Sequence, residues 1–569
     1  MRTFDSLLDV VHRHAVETPD QEAFRFLVSR HADRNMLSFA QLYAKAQAVA
    51  DGLRGRVAPG ALVPLVFAPG LEFIAALLGC WLLRAVPVPF APETFRRSPR
   101  DRHTLLQRLA APCVLCDDSS AAHHLVACSI PLARISEVAH AADGDIAPPP
   151  ALGPEDVALV QFTSGSTAAP RGVVITHGNV ISNMEMIRKM FGHDRHSGVA
   201  GWAPFYHDQG LVGNILQPLY LGSRCVLFPP KIFVRDPLLW LEVISDYRIH
   251  TSGGPNFAYE LCVARFNATR MRGVNLSSWQ IAFNGAEPVQ ADTLARFSDC
   301  FAPYGFERHS MYPCYGLAEA TLFASGAPGR RMPVLRQAAE PLRPASAEAR
   351  MRVGCGRAPA GTELLIVDPD MRMPCPPHVT GEIWISGAHI AQGYWQDDAA
   401  TVASFKARRA DASDTEYLRT GDLGFVDETG EVFPTGRIKE LVIQFGKNYA
   451  PHEIEQTIAA SRPELDPQRG VVFSVDGVGR EIVIAVHEVK REHRHAVPAA
   501  DIVQAIRRQV AAVHGLTIHH VILAPPNTIP YTTSGKKMRT QVRAHYLAGA
   551  LKTLASAAHE TTGTDEALV

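Results

Sequence analysis

Three neighbouring runs set the architecture. Leu62-Val63-Pro64-Leu65-Val66-Phe67 is short and apolar, Leu71 to Leu83 is apolar over a helical length, and Ala85-Val86-Pro87-Val88-Pro89 is a second short run. Strand, helix and strand in immediate succession imply right-handed crossovers and an open sheet of parallel strands. The same grammar recurs downstream. Val157–Val160 and Val173–Ile175 read as strands, Leu238–Ile244 as a helix, and Ile249–Ser252 and Trp279–Phe283 as further strands. Amphipathic spacing predicts a helix over Phe4–Ala15, and Ser38 is placed to cap another that runs to Leu53.

At 569 residues the chain is too long for one core, so two or more domains are expected. Thr362–Val367 and Gly381–Ile385 alternate, the mark of a β-rich subdomain. Beyond Lys439 the units shorten: a helix at Ile454-Glu455, strands at Val471–Phe473 and Ile482–Ile484, and a helix over Ile502–Val513. The expected fold is α/β and multi-domain. A large N-terminal domain of α/β sheets with a β-rich subdomain covers 1–438, and a small α+β domain covers 439–550. A polar tail, 551–569, is expected to fray. Ala327–Arg352, rich in Arg, Pro and Ala with little periodicity, interrupts the large domain.

A net charge of −1 argues against a general nucleic-acid or anionic-membrane binder. The longest apolar run, Phe73 to Leu83, falls short of the ~20 residues a membrane-spanning helix needs. The N-terminus lacks a signal-peptide core. The ten cysteines are scattered, and Cys113 and Cys116 sit in an apolar run that reads as a buried strand rather than half a zinc site. A cytoplasmic protein without stable membrane insertion is expected. Arg96, Arg97, Arg100 and Arg102 read as a solvated loop.

The chemistry concentrates in loops at strand ends. Phe162-Thr163-Ser164-Gly165-Ser166-Thr167-Ala168-Ala169-Pro170-Arg171-Gly172 joins two strands with small residues, hydroxyls and one cation. Such a loop brings backbone N–H groups close to an anion and suits a polyphosphate; alone, it also reads as a polar hairpin. His207, at the end of a short strand, sits between aromatics and glycine, where it is either structural or a contact for a carboxylate. Gly253-Gly254-Pro255-Asn256 and Asn284-Gly285-Ala286-Glu287 follow predicted strands, at the edge where α/β sheets bind ligands. Tyr315 offers a stacking face, and Glu319, after a glycine turn, a hard oxygen ligand. Asp422, read into a tight turn, is either solvated or an acceptor for both hydroxyls of a ribose.

Taken in order, the Thr163–Gly172 loop, Tyr315–Glu319, Gly381–Glu382, Arg419–Asp422, Gly436–Lys439 and Pro530–Lys536 resemble the motifs of the adenylate-forming superfamily of acyl-CoA synthetases, nonribosomal-peptide adenylation domains and luciferases. The resemblance runs from Phe4 to about Leu547. Pro204–Leu211, Ser252–Tyr259, Phe283–Pro288 and Tyr312–Thr321 most resemble the fatty acyl-AMP ligases, and Ala327–Arg352 falls where those enzymes carry an insertion associated with failure to make acyl-CoA.

The resemblance implies ATP and Mg²⁺ as cofactors, a fatty acid as substrate, and an acyl carrier protein or synthase carrier domain as partner. It assigns Thr163, Ser164, Gly165, Ser166, Thr167 and Arg171 to the phosphates and Glu319 to Mg²⁺. Tyr315 and Gly316, with Asn284, Gly285 and Ala286, would line the adenine pocket. Asp422 would take the ribose hydroxyls and Arg437 the ribose or phosphate. His207 would lie by the acyl carboxylate, Lys536 would bridge it to the α-phosphate, and Lys439 would be the hinge of a mobile C-terminal domain. Two positions depart from the pattern: the family has glycine where Ala168 stands and lysine where Arg171 stands. They predict slower pyrophosphate handling with activity retained. The rival expectations are an acyl- or aryl-CoA synthetase and a catalytically silent lipid-binding relative.

Overall fold

The computed structural model describes residues 4–29, 32–92, 99–118, 130–139, 145–163, 171–337, 351–411, 414–444, 447–477, 480–493, 498–532 and 536–558. Ser164 to Pro170, Arg96, Arg97 and residues 338–350 of the insertion therefore lie outside the described residues, as do Thr533 to Gly535.

Helices form where the sequence supplies both a cap and an apolar stripe. Ser38 caps Phe39–Leu53 in a reciprocal box with Gln41, and Ser6 caps Leu7–Glu17 in the same way with Asp9. The apolar faces of these helices pack with Leu71–Leu82. That last helix connects parallel strands Leu62–Val66 and Val86–Phe90 in a four-stranded parallel sheet completed by Val114–Cys116 and Leu132–Arg134. Cys113 and Cys116 are buried there as expected. Among the described residues every cysteine is free.

A seven-stranded sheet runs Met311–Pro313, Ile281–Asn284, Thr251–Gly254, Val199–Gly201, Cys225–Leu227, Glu22–Ser29, Ala32–Ser38. Its pairings are parallel except the last, so its central strands end along one edge. Two antiparallel sheets adjoin it. Val157–Phe162 and Gly172–Thr176 pair with each other and, on one side, with Gly393–Tyr394. Thr362–Val367, Gly381–Gly387, Leu418–Val426 and Val432–Arg437 make the β-rich unit.

After the short turn Ile438–Glu440, strands Leu465–Gly477, Arg480–Val489, His520–Ala524 and Ala555–Ala558 form a sheet packed by helices Pro451–Ser461 and Ala499–His514. Ile454, Ile458, Val472, Val483, Ile502, Ile506 and Val521 fill this separate core, which shares no buried side chain with the cores formed by residues before Lys439.

Several expectations need correction. Asp422 is not in a tight turn: it lies inside the strand Leu418–Val426, opposite Arg437. Gly316 is likewise in a short strand pairing with Phe323, not a turn. His207 is six residues past the strand Val199–Gly201, just before a π-helix, Gln209–Leu216. Arg100 and Arg102 belong to the helix Pro99–Arg108. The tail does not begin to fray at Leu551, because Ala555–Ala558 adds a strand to the free edge of His520–Ala524. The insertion is not wholly irregular: Leu335–Gln337 and Met351–Val353 pair as a hairpin. Its arginines meet carboxylates. Arg336 lies 3.2 Å from buried Asp427, Arg331 pairs with Glu431, and Arg352 pairs with Glu453 beyond the Ile438–Glu440 turn.

Candidate active site

The parallel strands Thr251–Gly254, Ile281–Asn284 and Met311–Pro313 stop side by side, and the chain after each opens into one cleft of about 3300 Å³. Strand ends in a parallel sheet leave backbone groups without a next pairing partner, which is why ligands collect there. Of the predicted residues, Thr163, Arg171, His207, Gly285, Ala286, Tyr315, Gly316, Glu319, Asp422, Arg437, Lys439 and Lys536 all line this cleft. Asn284 does not join them. Its side chain is fully buried and donates to Asn256 at 3.4 Å. Ala286 holds a left-handed φ of 66°, a conformation that costs a non-glycine residue on the order of 1 kcal/mol and recurs at functional loops.

Asp422 anchors one side. Tyr315 Oη donates to its Oδ2 at 2.7 Å and Arg437 Nε to its Oδ1 at 2.8 Å. The carboxylate reaches this position because Gly421, at φ 71°, bends the strand, and Glu382 braces the bend. Glu382 accepts from the Gly421 N–H at 3.1 Å, from Arg419 at 2.8 Å and from Trp384 at 2.9 Å. An ionised carboxylate has about four acceptor positions, so Asp422, with Tyr315 and Arg437 as donors, keeps two for a ligand's hydroxyls.

Glu319 sits in the short turn Ala318–Ala320 and accepts from the Tyr394 hydroxyl at 3.0 Å. The Arg171 guanidinium lies over the same tyrosine ring, 5.0 Å from its centroid, and 3.6 Å from Asp397. Burial pushes the Glu319 carboxyl above its usual range, although the Tyr394 hydroxyl and Arg437 oppose the shift. It is a half-buried acid short of countercharge. Thr163 N–H donates to Arg171 O at 2.9 Å, closing the ends of the paired strands Val157–Phe162 and Gly172–Thr176.

On the third side, His207 Nδ1 faces Asp208 at 2.5 Å. Burial alone would raise Asp208, but His207 and Lys536 hold it well below the carboxylate range. Burial raises Glu287, which accepts the Phe257 N–H at 2.6 Å and also feels Lys537 and, less strongly, Lys536. Lys536, carried by the C-terminal segment, therefore bears on acids from two strand-end loops of the N-terminal part.

Tyr394, Asp208, Glu287 and Glu382 were not given roles by the sequence. The signal for Glu382 and Glu287 was present in the quoted motifs. Tyr394 carried none, since its meaning depends on reaching Glu319 from 75 residues away.

A family model described as AMP-binding enzyme matches residues 11–395, and one described as Disco-interacting protein 2-like, AMP domain, matches 439–556. The chain belongs to the AMP-binding enzyme family. It is 36% identical over 571 residues to the medium-chain-fatty-acid–[acyl-carrier-protein] ligase JamA of Moorena producens, covering 96% of each. It is 32% identical to 4-hydroxyphenylalkanoate adenylyltransferase of Mycobacterium marinum, covering 95% of this chain and 91% of that one. The fold matches the crystal structure of the fatty acyl-adenylate ligase of Legionella pneumophila in complex with acyl adenylate and pyrophosphate. The TM-score is 0.74 and the identity 32%, over 97% of this chain and 98% of that one. Within the family its likeness is to the fatty acyl-AMP ligases. Among the described residues no helix is long and apolar enough to cross a membrane.

Proposed function

We propose that this chain is a fatty acyl-AMP ligase that joins a fatty acid to AMP from ATP, releases pyrophosphate, and passes the acyl group to the phosphopantetheine thiol of a carrier protein. One observation carries the reading: Asp422, held by Tyr315 and Arg437, shares a single cleft with Glu319 and Lys536. The relatives that act on fatty acids or their adenylates support it.

In the first half-reaction a carboxylate oxygen forms a bond to the α-phosphorus while the α–β phosphoanhydride bond breaks and pyrophosphate leaves. Two anions must be brought together, so the work is positioning and charge compensation. Asp422 accepts the ribose hydroxyls and fixes the nucleotide, Tyr315 lies against the base, and Gly285 and Ala286 close the pocket. Arg171 and the Thr163–Gly172 loop hold the departing phosphates. Lys536 offsets charge where the carboxylate meets the α-phosphate, near His207. In the second half-reaction the thiol sulfur bonds to the acyl carbonyl carbon, the bond from that carbon to the phosphate oxygen breaks, AMP leaves and the thiol proton is released to solvent.

Mg²⁺ fits Glu319. Among the described residues no group of three acidic, histidine or cysteine side chains could cage a metal, whereas Mg²⁺ is commonly held by one carboxylate plus substrate phosphates. A cation there would give the half-buried Glu319 carboxylate its countercharge and, when bound, neutralise developing charge on the phosphates. Lys439, in the turn between the two separate cores, serves as the pivot between half-reactions, with the domains divided there.

Incubation with ATP, a fatty acid and coenzyme A tests the proposal. Pyrophosphate release with accumulation of acyl-AMP, discharged by a holo carrier protein, is expected. Abundant acyl-CoA would overturn it in favour of a CoA synthetase, and absent pyrophosphate release in favour of a silent relative.

A further inference from the structure

Away from the nucleotide residues the cleft wall is apolar. Ile187, Phe191, Phe283, Leu322 and Phe323 line it, with the Phe191 ring 6.3 Å from Phe283 and 5.7 Å from Phe323 between centroids. Such a wall suits an alkyl chain. Several lining residues break the pattern, each with a buried polar atom lacking a partner among the described residues (Gln161 Oε1, His193 Nδ1, Trp202 Nε1), and at Gln217 both amide atoms do. Gln217 is 1% exposed, and neither its Oε1 nor its Nε2 has a hydrogen-bond partner among the described residues. Buried amides are nearly always paired, because losing water without a replacement partner is costly. Asn214 is orphaned too, but it packs against Gly201 and is not part of the cleft wall.

His193 adds a second polar group to the same cleft. It is 4% exposed, its Nε2 meets Thr251 Oγ1 at 2.7 Å, and its Nδ1 has no partner among the described residues. Burial, with His250 beside it, pushes its pKa down to about 3, so the ring is neutral near pH 7. Position along the chain gives the depth. Gln217 directly follows the π-helix Gln209–Leu216, which begins just past His207. Helical rise over that stretch separates Gln217 from His207 by on the order of 10–15 Å.

On the reading that this cleft holds a fatty acid with its carboxylate near His207, we propose that Gln217 selects acids bearing a hydroxyl or keto oxygen remote from the carboxylate. Its Nε2 donates to either oxygen, and its Oε1 accepts from a hydroxyl. A plain alkyl chain in the same place would leave both amide atoms without partners, and a site built to hydrogen-bond a substrate oxygen discriminates against the analogue lacking it.

The test compares saturated acids of increasing length with their hydroxy and keto analogues, the oxygen moved stepwise from mid-chain to the terminus, and includes hydroxyphenylalkanoic acids. The readout is kcat/KM from pyrophosphate release for wild type, Gln217→Leu and the shape-preserving Gln217→Met. Wild type should favour one oxygenated series by about tenfold to a hundredfold, with the oxygen position marking the depth of Gln217 and the aryl arm telling a phenol from an aliphatic hydroxyl. Either variant should abolish the ratio by gaining activity on plain acids. A purely structural role would lower all acids together and leave the ratio unmoved. Plain acids used as well as oxygenated ones by wild type would overturn the inference and mean that ordered water satisfies the amide. No pyrophosphate release with any acid would sink the ligase reading itself, and this one with it.

Discussion

Tyr315 and Asp422 are 107 residues apart in sequence and meet at 2.7 Å, hydroxyl to carboxylate. Arg437 takes the other oxygen, so Asp422 is held from both sides with only a tenth of its side chain exposed. Asp422→Ala removes the acceptor and leaves a phenol and a guanidinium unpaired. With hydrogen bonds to charged groups each contributing about 1.5–3 kcal/mol, kcat/KM for ATP should fall by about tenfold to a hundredfold or more. Asp422→Asn, which keeps one oxygen, should fall between. Pyrophosphate release as a function of ATP concentration measures this, and an unchanged KM for ATP would take Asp422 out of the nucleotide site.

The same residue marks the limit of what the sequence disclosed. The parallel sheets were legible because Leu62–Phe67 and Ala85–Pro89 are short and apolar throughout, the pattern of a doubly buried strand, while Phe73–Leu83 between them is apolar over a helical length. The Ser38 cap was legible because its partner is three residues away. Asp422 was misread because Gly421 looks like a turn. In the structure the glycine is a bend inside a strand, stabilised by Glu382 39 residues away, and no local pattern announces that partner. Ala555–Ala558 has little β signal of its own and becomes a strand because His520–Ala524 offers an unpaired edge. The motifs at strand ends were found because their composition is unusual. Tyr394 and Gln217 were not, since an ordinary residue gains meaning only from what approaches it.

Glu455 predicts a pH dependence. It is 5% exposed and accepts from Val472 N–H at 2.9 Å, Lys537 at 2.8 Å and Arg539 at 2.9 Å. Burial would raise its pKa, but the two cations bring it down from 4.5 to about 2. A carboxyl depressed on folding stabilises above its unfolded value and loses that contribution as pH falls through the folded one. The window is therefore from about pH 5 down to about pH 2, and the shift corresponds to about 3 kcal/mol. Glu455→Gln should lower the melting temperature near neutrality, and the gap to wild type should narrow steadily on acidification. Taking the difference between the two proteins cancels the other depressed carboxylates, Asp208 and Glu185 among them. A gap that stays constant across that range would mean Glu455 does not titrate there.

Two adjacent lysines should separate chemistry from stability. Lys537 is committed: its ammonium donates to Glu455 at 2.8 Å and to Gly470 O at 2.7 Å. Lys536 has its backbone tied to Thr532, by Thr532 N–H to Lys536 O at 2.8 Å and Lys536 N–H to Thr532 Oγ1 at 2.9 Å, while its charge acts on Asp208 and Glu287 across the cleft. Lys536→Ala should slow acyl-adenylate formation by at least ~10²–10³-fold, the loss typical of one preorganised donor, with little change in melting temperature. Lys537→Ala leaves a buried carboxylate with one cation fewer, so it should cost about 3–5 kcal/mol of stability, and any activity it loses should follow unfolding. Single-turnover formation of acyl-AMP, read beside thermal melts of both variants, decides the assignment. Wild-type adenylation by Lys536→Ala would show that the charge compensating the attacked phosphate comes from another cation lining the cleft.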